Sequence, residues 1–168
     1  MGQEEKLSVV VTYGQLRAEF SGTPEAVMLS LNNFLMKNVP ELDLAKAISV
    51  SYSTADLINM FGEFVKITPE GARVWVGEHK LSDKDIVALQ LVAAKLGYGT
   101  GRLSSPSLSI GEIQALTGLK AKSISSRLSE ITKMGFVEKE VDEHGVRYKI
   151  TTQGIHWLKN NLSKKLGK

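Results

Sequence analysis

The stretch "LTGLKAKSISSRLSEITKMGFVEKEVDEHGVRYKITTQG", residues 116–154, decides the fold of the second half of this chain. Gly118 ends one predicted helix, and a second helix is predicted from about Lys120 to Met134. Two alternating segments then lie on either side of a turn at residues 142–145, which predicts a β-hairpin. The chain therefore places a serine- and lysine-rich helix directly before a charged hairpin.

The helix after Gly118 has two different faces when its residues are placed at about 100° intervals. One face is apolar and predicts contact with a core; it contains Ile124, Leu128 and Ile131. The opposite face is polar and carries Lys122, Ser126, Ser129 and Lys133, with Ser123 and Ser125 beside them. Serine is a mediocre helix former, so helix propensity does not explain these serines.

Lysines and small hydroxyls on one exposed helix face suit contact with nucleic acid. Small side chains let a helix approach a groove, hydroxyls bond base edges or phosphates, and lysines neutralise phosphates. The alternative interpretation is a solvated face that serves solubility alone.

The preceding segment predicts a short helix that packs against this one. Ser109 and Glu112 have the spacing of a capping box, and the helix they begin ends at Gly118. Two helices joined by such a turn, with Leu119 tucked under it, are typical of a helix-turn-helix. An earlier helix is predicted after the cap Ser82, and the predicted order from there is helix, helix, helix, strand, strand, helix.

Residues 109–158, "SIGEIQALTGLKAKSISSRLSEITKMGFVEKEVDEHGVRYKITTQGIHWL", resemble the winged helix-turn-helix family, in the style of MarR-like and other prokaryotic and archaeal regulators. The Met-Gly-Phe-Val-Glu step at 134–138 and the Tyr-Lys-Ile-Thr-Thr-Gln-Gly run at 148–154 are the most characteristic parts. The resemblance extends over roughly residues 81–166. It implies a DNA-binding domain with a recognition helix and a β-hairpin wing.

The predicted DNA contacts lie on the recognition helix and on the wing; they are Lys120, Lys122, Ser123, Ser126, Arg127, His144 and Arg147. Two features depart from the family pattern. Lys120 stands where a small N-cap such as serine is common, and Asp142 and Glu143 at the hairpin tip would repel phosphate. We therefore expect Arg147 to contact the DNA backbone, rather than the wing tip to enter a minor groove.

The first half of the chain predicts a separate small domain. Its expected elements are a hairpin at 7–21, a helix after the cap Thr23, short helices at 40–50 and 53–62, and a hairpin around 68–71. The predicted fold class is α+β, with an α+β assembly or partner-binding domain at 1–79 followed by a winged-helix domain at 80–168.

The two halves differ in charge. Residues 1–79 carry 6 Lys or Arg and 10 Asp or Glu, whereas residues 80–168 carry 15 and 8, so the net charges are −4 and +7. This asymmetry predicts a polyanionic partner for the basic half and keeps the acidic half away from phosphate.

No motif in the sequence supports catalysis. The absence of cysteine excludes disulfides and thiolate metal sites. The three histidines, His79, His144 and His156, lack metal-ligand spacing, and the run "GYGTGRL" at 97–103 lacks the lysine-serine ending of a phosphate loop. The protein is therefore predicted not to be an enzyme and to hold no cofactor or metal.

The sequence predicts a cytoplasmic transcription regulator that binds double-stranded DNA, with no signal peptide and no membrane span. A winged helix that reads a two-fold operator needs a second copy, so we expect a homodimer. The alternative function is a winged-helix protein-interaction module in a transcription, replication or chromosome-organising complex. Residues 1–79 are a further candidate surface for a protein partner.

Two apolar stripes are candidates for the dimer contact. The first predicted helix carries one at Val27, Leu31, Phe34 and Leu35. The last helix, from about Gln153 to Leu166, carries another at Ile155, Leu158 and Leu162, with Trp157 to the side. The last stripe has a second possible use, which is to close the core of its own domain.

Overall fold

The structure, a computed structural model, describes residues 6–39 and 51–167. The chain divides into two compact units, Met1–Val50 and Ser51–Lys168, and both combine helices with antiparallel hairpins. The short helix predicted at residues 40–50 lies outside the described residues. Within the two described ranges, no helix has the length and apolar character needed to cross a bilayer.

In the first unit a β-hairpin packs against one helix. Its elements are β1 (Leu7–Tyr13), β2 (Leu16–Gly22) and α1 (Pro24–Asn38). Tyr13 pairs with Leu16, so a two-residue turn joins the strands, as the sequence predicts. The Thr23 hydroxyl caps α1 by accepting a hydrogen bond from the amide of Ala26 at 3.4 Å.

The core of the first unit is sparse. Phe20 and Phe34 meet edge to face at 5.8 Å between the hairpin and α1, and both side chains are half-buried. Of the residues described in this unit, Val27 is fully buried, whereas Met28 and Leu29 on the same helix are 58% and 64% exposed. A two-stranded hairpin with so little buried surface is marginally stable by itself.

The second unit has its helices and strands in the order predicted for residues after 80, preceded by one helix and one hairpin. Its elements are α2 (Thr54–Phe61), β3 (Val65–Thr68), β4 (Gly71–Val74), α3 (Asp83–Gly99), α4 (Ile110–Thr117), α5 (Ala121–Lys133), β5 (Val137–Asp142), β6 (Gly145–Ile150) and α6 (Thr152–Lys165). From α3 onward this is the order of a winged helix-turn-helix.

Helix α3 is the centre of the second unit. Every residue from 87 to 94 is buried, because α2, α4, α5, α6 and the β3–β4 hairpin all pack against it. The apolar face predicted for α5 is confirmed, since Ile124, Leu128 and Ile131 are fully buried in this core. The burial of these branched side chains is the main source of stability that holds α5 in place.

Residues 51–79 belong to the same core. Leu57, Phe61 and Phe64 are buried in one apolar cluster with the side chains of α3 and α5. The polar segment at residues 77–85 follows β4 and is held to this core at His79, whose ring lies edge-on to Phe64 with centroids 5.3 Å apart. It is therefore not a linker between two separate bodies. Contacts between residues therefore divide the chain between residues 50 and 51, whereas the boundary predicted from the sequence is 79/80. The functional division into 1–79 and 80–168 remains a prediction.

The last helix closes the core of the second unit. Ile155, Leu158 and Leu162 are buried, and Trp157 stacks on Phe136 with ring centroids 4.8 Å apart. The apolar stripe of α6 therefore serves its own domain, one of the two uses that the sequence left open.

Gly154 allows α6 to begin against the preceding strand. A Cβ at this position would lie 2.0 Å from the carbonyl oxygen of Phe136, which is far inside any real contact distance. That same carbonyl accepts the Thr151 amide at 3.0 Å, and the Thr151 hydroxyl caps α6 at the Gly154 amide. The Thr-Thr-Gln-Gly run is thus a compact strand-to-helix junction.

Candidate nucleic-acid interface

The turn between α4 and α5 sets the direction of α5. Gly118 has a left-handed backbone with φ of 71°, which only glycine adopts at no steric cost, and its amide donates to the Gln114 carbonyl at 2.9 Å. The Thr117 hydroxyl donates to the Ile113 carbonyl at 2.7 Å and accepts the Leu119 amide at 3.3 Å. These bonds make the turn a defined connection, and Leu119 packs against the core beneath it.

The outward surface of α5 forms what we call the serine–lysine stripe. Its members are all exposed: Lys122, Ser125, Ser126, Ser129 and Lys133. Their side chains make no hydrogen bond or ion pair with any residue that the structure describes. The stripe therefore offers hydroxyl donors and acceptors between two free ammonium groups, all on one side of one helix.

Arg127 lies away from the stripe and is bonded within the domain. Its guanidinium donates to Glu130 at 3.0 Å, and Lys84 at the start of α3 donates to the same carboxylate at 2.8 Å. The hydrogen bond from Lys84, helped by the charge of Arg127, holds the pKa of Glu130 below its ordinary value. This group of charges links α5 to α3.

Ser123 is also bonded to α3. Its hydroxyl donates to Asp83 at 2.7 Å, so the carboxylate at the first position of α3 holds the first turn of α5. The helix periodicity placed Ser123 beside the polar face, and the fold turns that side toward α3.

Arg147 fastens the wing to the rest of the domain. Its guanidinium donates to the Ser107 hydroxyl at 3.2 Å and to the Ser107 carbonyl at 2.7 Å. It also forms an ion pair with Glu112 of α4 at 3.0 Å. Burial raises the pKa of the Glu112 carboxyl, but hydrogen bonds from Ser109 and the Arg147 charge outweigh it and leave that pKa below its ordinary value.

The base of the wing has a third strand-like segment. Leu108 and Tyr148 exchange backbone hydrogen bonds of 2.9 and 2.8 Å, so the segment two residues before α4 pairs with β6. Together with the Arg147 contacts, this pairing fixes the hairpin at its base and leaves the tip projecting.

The wing tip is exposed and acidic. His144 is the most prominent of its predicted contact residues, with a side chain 79% exposed, and its backbone amide donates to Asp142 at 2.8 Å. Residues 137–150 carry three Lys or Arg and four Asp or Glu. Of the three cations, Lys149 bonds Glu140 and Glu138, which raises the pKa of its ammonium group. The wing as a whole is therefore a poor phosphate binder, in contrast to α5.

Lys120 occupies the N-cap position of α5 and contributes no side-chain cap. Its side chain is exposed beside Lys122. The amides of the first turn of α5 thus lack a side-chain acceptor, and a helix N-terminus in that state favours an anion.

A buried charge network was missed by the sequence reasoning. Asp85 is fully buried and accepts hydrogen bonds from Ser82, from Asn161 and from the ammonium group of Lys165. Burial raises the pKa of the Asp85 carboxyl, but the bonds from Lys165 and Ser82 prevail and lower it below its ordinary value. The spacing of Ser82 and Asp85 signals the helix cap, whereas no sequence feature joins Asp85 to the last helix.

Comparison with solved structures finds a distant similarity to a MarR family protein. No protein-family model and no curated protein matches the chain. A solved structure described as "The structure of a MarR family protein from Bacillus stearothermophilus" superposes with a TM-score of 0.37 and 15% identity, covering 86% of this chain and 78% of that one. A similarity this low does not place the chain in that family.

Proposed function

We propose that the protein is a DNA-binding transcription regulator whose recognition element is α5. The observation that carries this proposal is the serine–lysine stripe, in which Lys122 and Lys133 flank three exposed hydroxyls that have no partner among the described residues. Side chains of this length and polarity suit a helix lying in a DNA groove, where hydroxyls reach base edges and ammonium groups reach phosphates.

The proposed interface divides the work between phosphate contacts and base contacts. Lys120, Lys122 and Lys133 neutralise phosphates, and the uncapped first turn of α5 adds backbone amides that suit a phosphate oxygen. Ser126, near the middle of the stripe, faces the base edges. His144 at the wing tip is the contact proposed for the wing, and it is a weak one because Asp142 and Glu143 beside it repel phosphate.

Three further residues predicted as DNA contacts affect DNA binding indirectly, by positioning other groups; they are Ser123, Arg127 and Arg147. Each is bonded within the domain, to Asp83, to Glu130 and to Ser107 with Glu112 respectively. We propose that they hold α5 and the wing at a fixed angle, while the serine–lysine stripe meets the DNA.

We further propose that the active species is a homodimer formed through the first unit. Its exposed apolar side chains, including Met28 and Leu29 on α1, support this assignment. The stripe of α6 is already used inside its own domain. A second copy would give two recognition helices for a two-fold site.

The direct test is binding of the full chain to random-sequence duplex DNA across a salt series, followed by selection of preferred sequences from a random pool. Several phosphate contacts predict a steep linear fall of log affinity with log salt concentration, and a reader of bases predicts an enriched motif. Salt-independent or undetectable binding would favour the rival function, a winged-helix module that docks on protein.

A further inference from the structure

A surface cavity of about 340 Å³ lies beside the first helix of the helix-turn-helix. Its walls come from the β3–β4 hairpin, α3, the segment before α4, and α4 itself, all within the second unit. The loop after α3 is tied to the hairpin by Arg102, which donates to the Pro69 carbonyl at 3.1 Å. The hairpin wall of the cavity is therefore bonded to the loop that follows the α3 wall.

Gln90 of α3 is the unusual residue in this cavity. Its side chain is 4% exposed and lines the space, yet its amide makes no hydrogen bond with any residue that the structure describes. The amide atoms are not among the enclosed, unbonded polar atoms of the described residues, so they reach the cavity and are bonded by whatever occupies it, water or a ligand. Gln90 thus presents both an unused donor and an unused acceptor to the cavity.

The surroundings of Gln90 restrict what can bind there. Small residues such as Ala94 and Ala115 leave the space open, and Leu116, 39% exposed, adds an apolar wall. The charges at the rim oppose one another, since Arg73 stands beside Glu70. The other acid of the lining, Glu112, is already paired with Arg147. No net charge is left over for a charged ligand.

We propose that this cavity binds a neutral, flat, mainly apolar small molecule that carries a hydrogen-bond donor next to an acceptor, as a carboxamide or lactam does. The Gln90 amide offers the complementary acceptor and donor and forms paired hydrogen bonds with that edge. The cavity volume lies at the lower end of the range for small-molecule sites, which suits a compact ring compound.

We infer that the ligand also changes the affinity for DNA. This second part of the inference rests on the proposed function. Helix α4 supplies Ala115 and Leu116 to the cavity and leads through Gly118 into α5. It also holds Arg147 of the wing through Glu112. A ligand that fixes α4 changes the placement of both DNA-contacting elements, and the coupling is reciprocal.

The test uses isotope-labelled full-length protein and three probes of similar size: benzamide, benzoate and toluene. Nuclear magnetic resonance follows the side-chain amide signals of Gln90, assigned by their absence in Gln90→Met. Benzamide should displace these signals and saturate, and it should bind at least about five-fold more tightly than toluene or benzoate.

Two glutamine variants give a matched control. Gln90→Met keeps the length of the side chain and removes its amide, so the preference for benzamide over toluene should disappear. Gln114→Met makes the same change at an exposed position of α4 and should leave that preference intact. The wild-type comparison of probes stands even where a variant fails to fold.

Three results would overturn the ligand site: equal binding of benzamide and toluene, an unchanged preference in Gln90→Met, or no displacement of the Gln90 signals up to the solubility limit of benzamide. DNA affinity is then measured with and without saturating benzamide. Binding of benzamide without any change in DNA affinity overturns the coupling. Binding of benzamide by a chain that does not bind DNA overturns the proposed function and leaves the ligand site standing.

Discussion

Single residues of α5 differ in whether their polar atoms are already bonded, and this difference decides what each substitution should do. Lys122 and Lys133 have free ammonium groups, so each can neutralise a phosphate. Replacing either lysine with alanine should weaken binding to all sequences alike and reduce the salt slope by about one unit. Fluorescence anisotropy at several salt concentrations measures both quantities.

The control for these lysines is Lys159→Ala, which removes an exposed lysine from α6. It should leave the salt slope unchanged. If Lys159→Ala and Lys122→Ala lower the slope equally, the basic charge acts in bulk and α5 is not the recognition element.

Ser123 and Ser126 provide a matched pair three residues apart on the same helix. Ser123→Ala removes a hydrogen bond to Asp83 and should lower the free energy of unfolding by about 1 kcal/mol, without changing the ranking of DNA sequences. Ser126→Ala removes an exposed hydroxyl and should change that ranking while stability stays the same. Urea unfolding and sequence selection distinguish the two effects; an exchange of these phenotypes would reverse the assignment.

The buried carboxylate of Asp85 should make stability depend on pH. Its pKa is lower in the folded than in the unfolded chain, so it stabilises the fold above its unfolded pKa, and that stabilisation is lost as the pH falls. The difference in unfolding free energy between wild type and Asp85→Asn should therefore shrink between neutral pH and about pH 3. Parallel stability profiles for the two proteins would show that Asp85 contributes no net charge stabilisation.

At the level of elements, local signals predicted most of the second unit. The capping serines Ser82 and Ser109 begin α3 and α4, and Gly118 ends α4, because each depends on residues within one helical turn. The buried face of α5 could be predicted from the spacing of its apolar residues, because Ile124, Leu128 and Ile131 lie on one side of an α-helix.

Contacts between distant elements could not be predicted in the same way. A helical wheel shows that Ser123 and Arg127 flank the polar face, and it cannot show that α3 lies beside them. The sequence also could not predict that the Gln90 amide lines a cavity without a bond to any described residue, because a glutamine within an apolar helical segment does not indicate an adjoining cavity. These features depend on packing across the fold.

The place of residues 51–79 in the core gives a prediction about fragments. A fragment of residues 51–168 should unfold cooperatively, because it keeps Leu57, Phe61 and Phe64 in contact with α3. A fragment starting at residue 80 loses all three, and loss of one buried phenylalanine already costs about 3–5 kcal/mol. It should lack a cooperative transition in thermal unfolding followed by circular dichroism. Equal stability of the two fragments would instead support the predicted boundary at 79/80.

For the whole molecule, the first unit should control the oligomeric state. The full chain should have twice the monomer mass in light scattering at tens of micromolar, because burying the exposed apolar side chains of α1 against a second copy is favourable. The fragment of residues 51–168 should be monomeric and bind DNA more weakly. A monomeric full chain, or a fragment that dimerises equally well, would contradict this assignment.

The bond between Asp85 and Lys165 has a consequence for how the protein is made. The carboxylate is synthesised 80 residues before the ammonium group that neutralises it. On the ribosome, α3 can therefore be complete while Asp85 has the cap of Ser82 alone. Burying that carboxylate becomes favourable once the last turn of α6 has left the exit tunnel. Final closure of the winged-helix core therefore waits for residue 165, and a nascent chain stalled before it should remain open to chaperones and proteases.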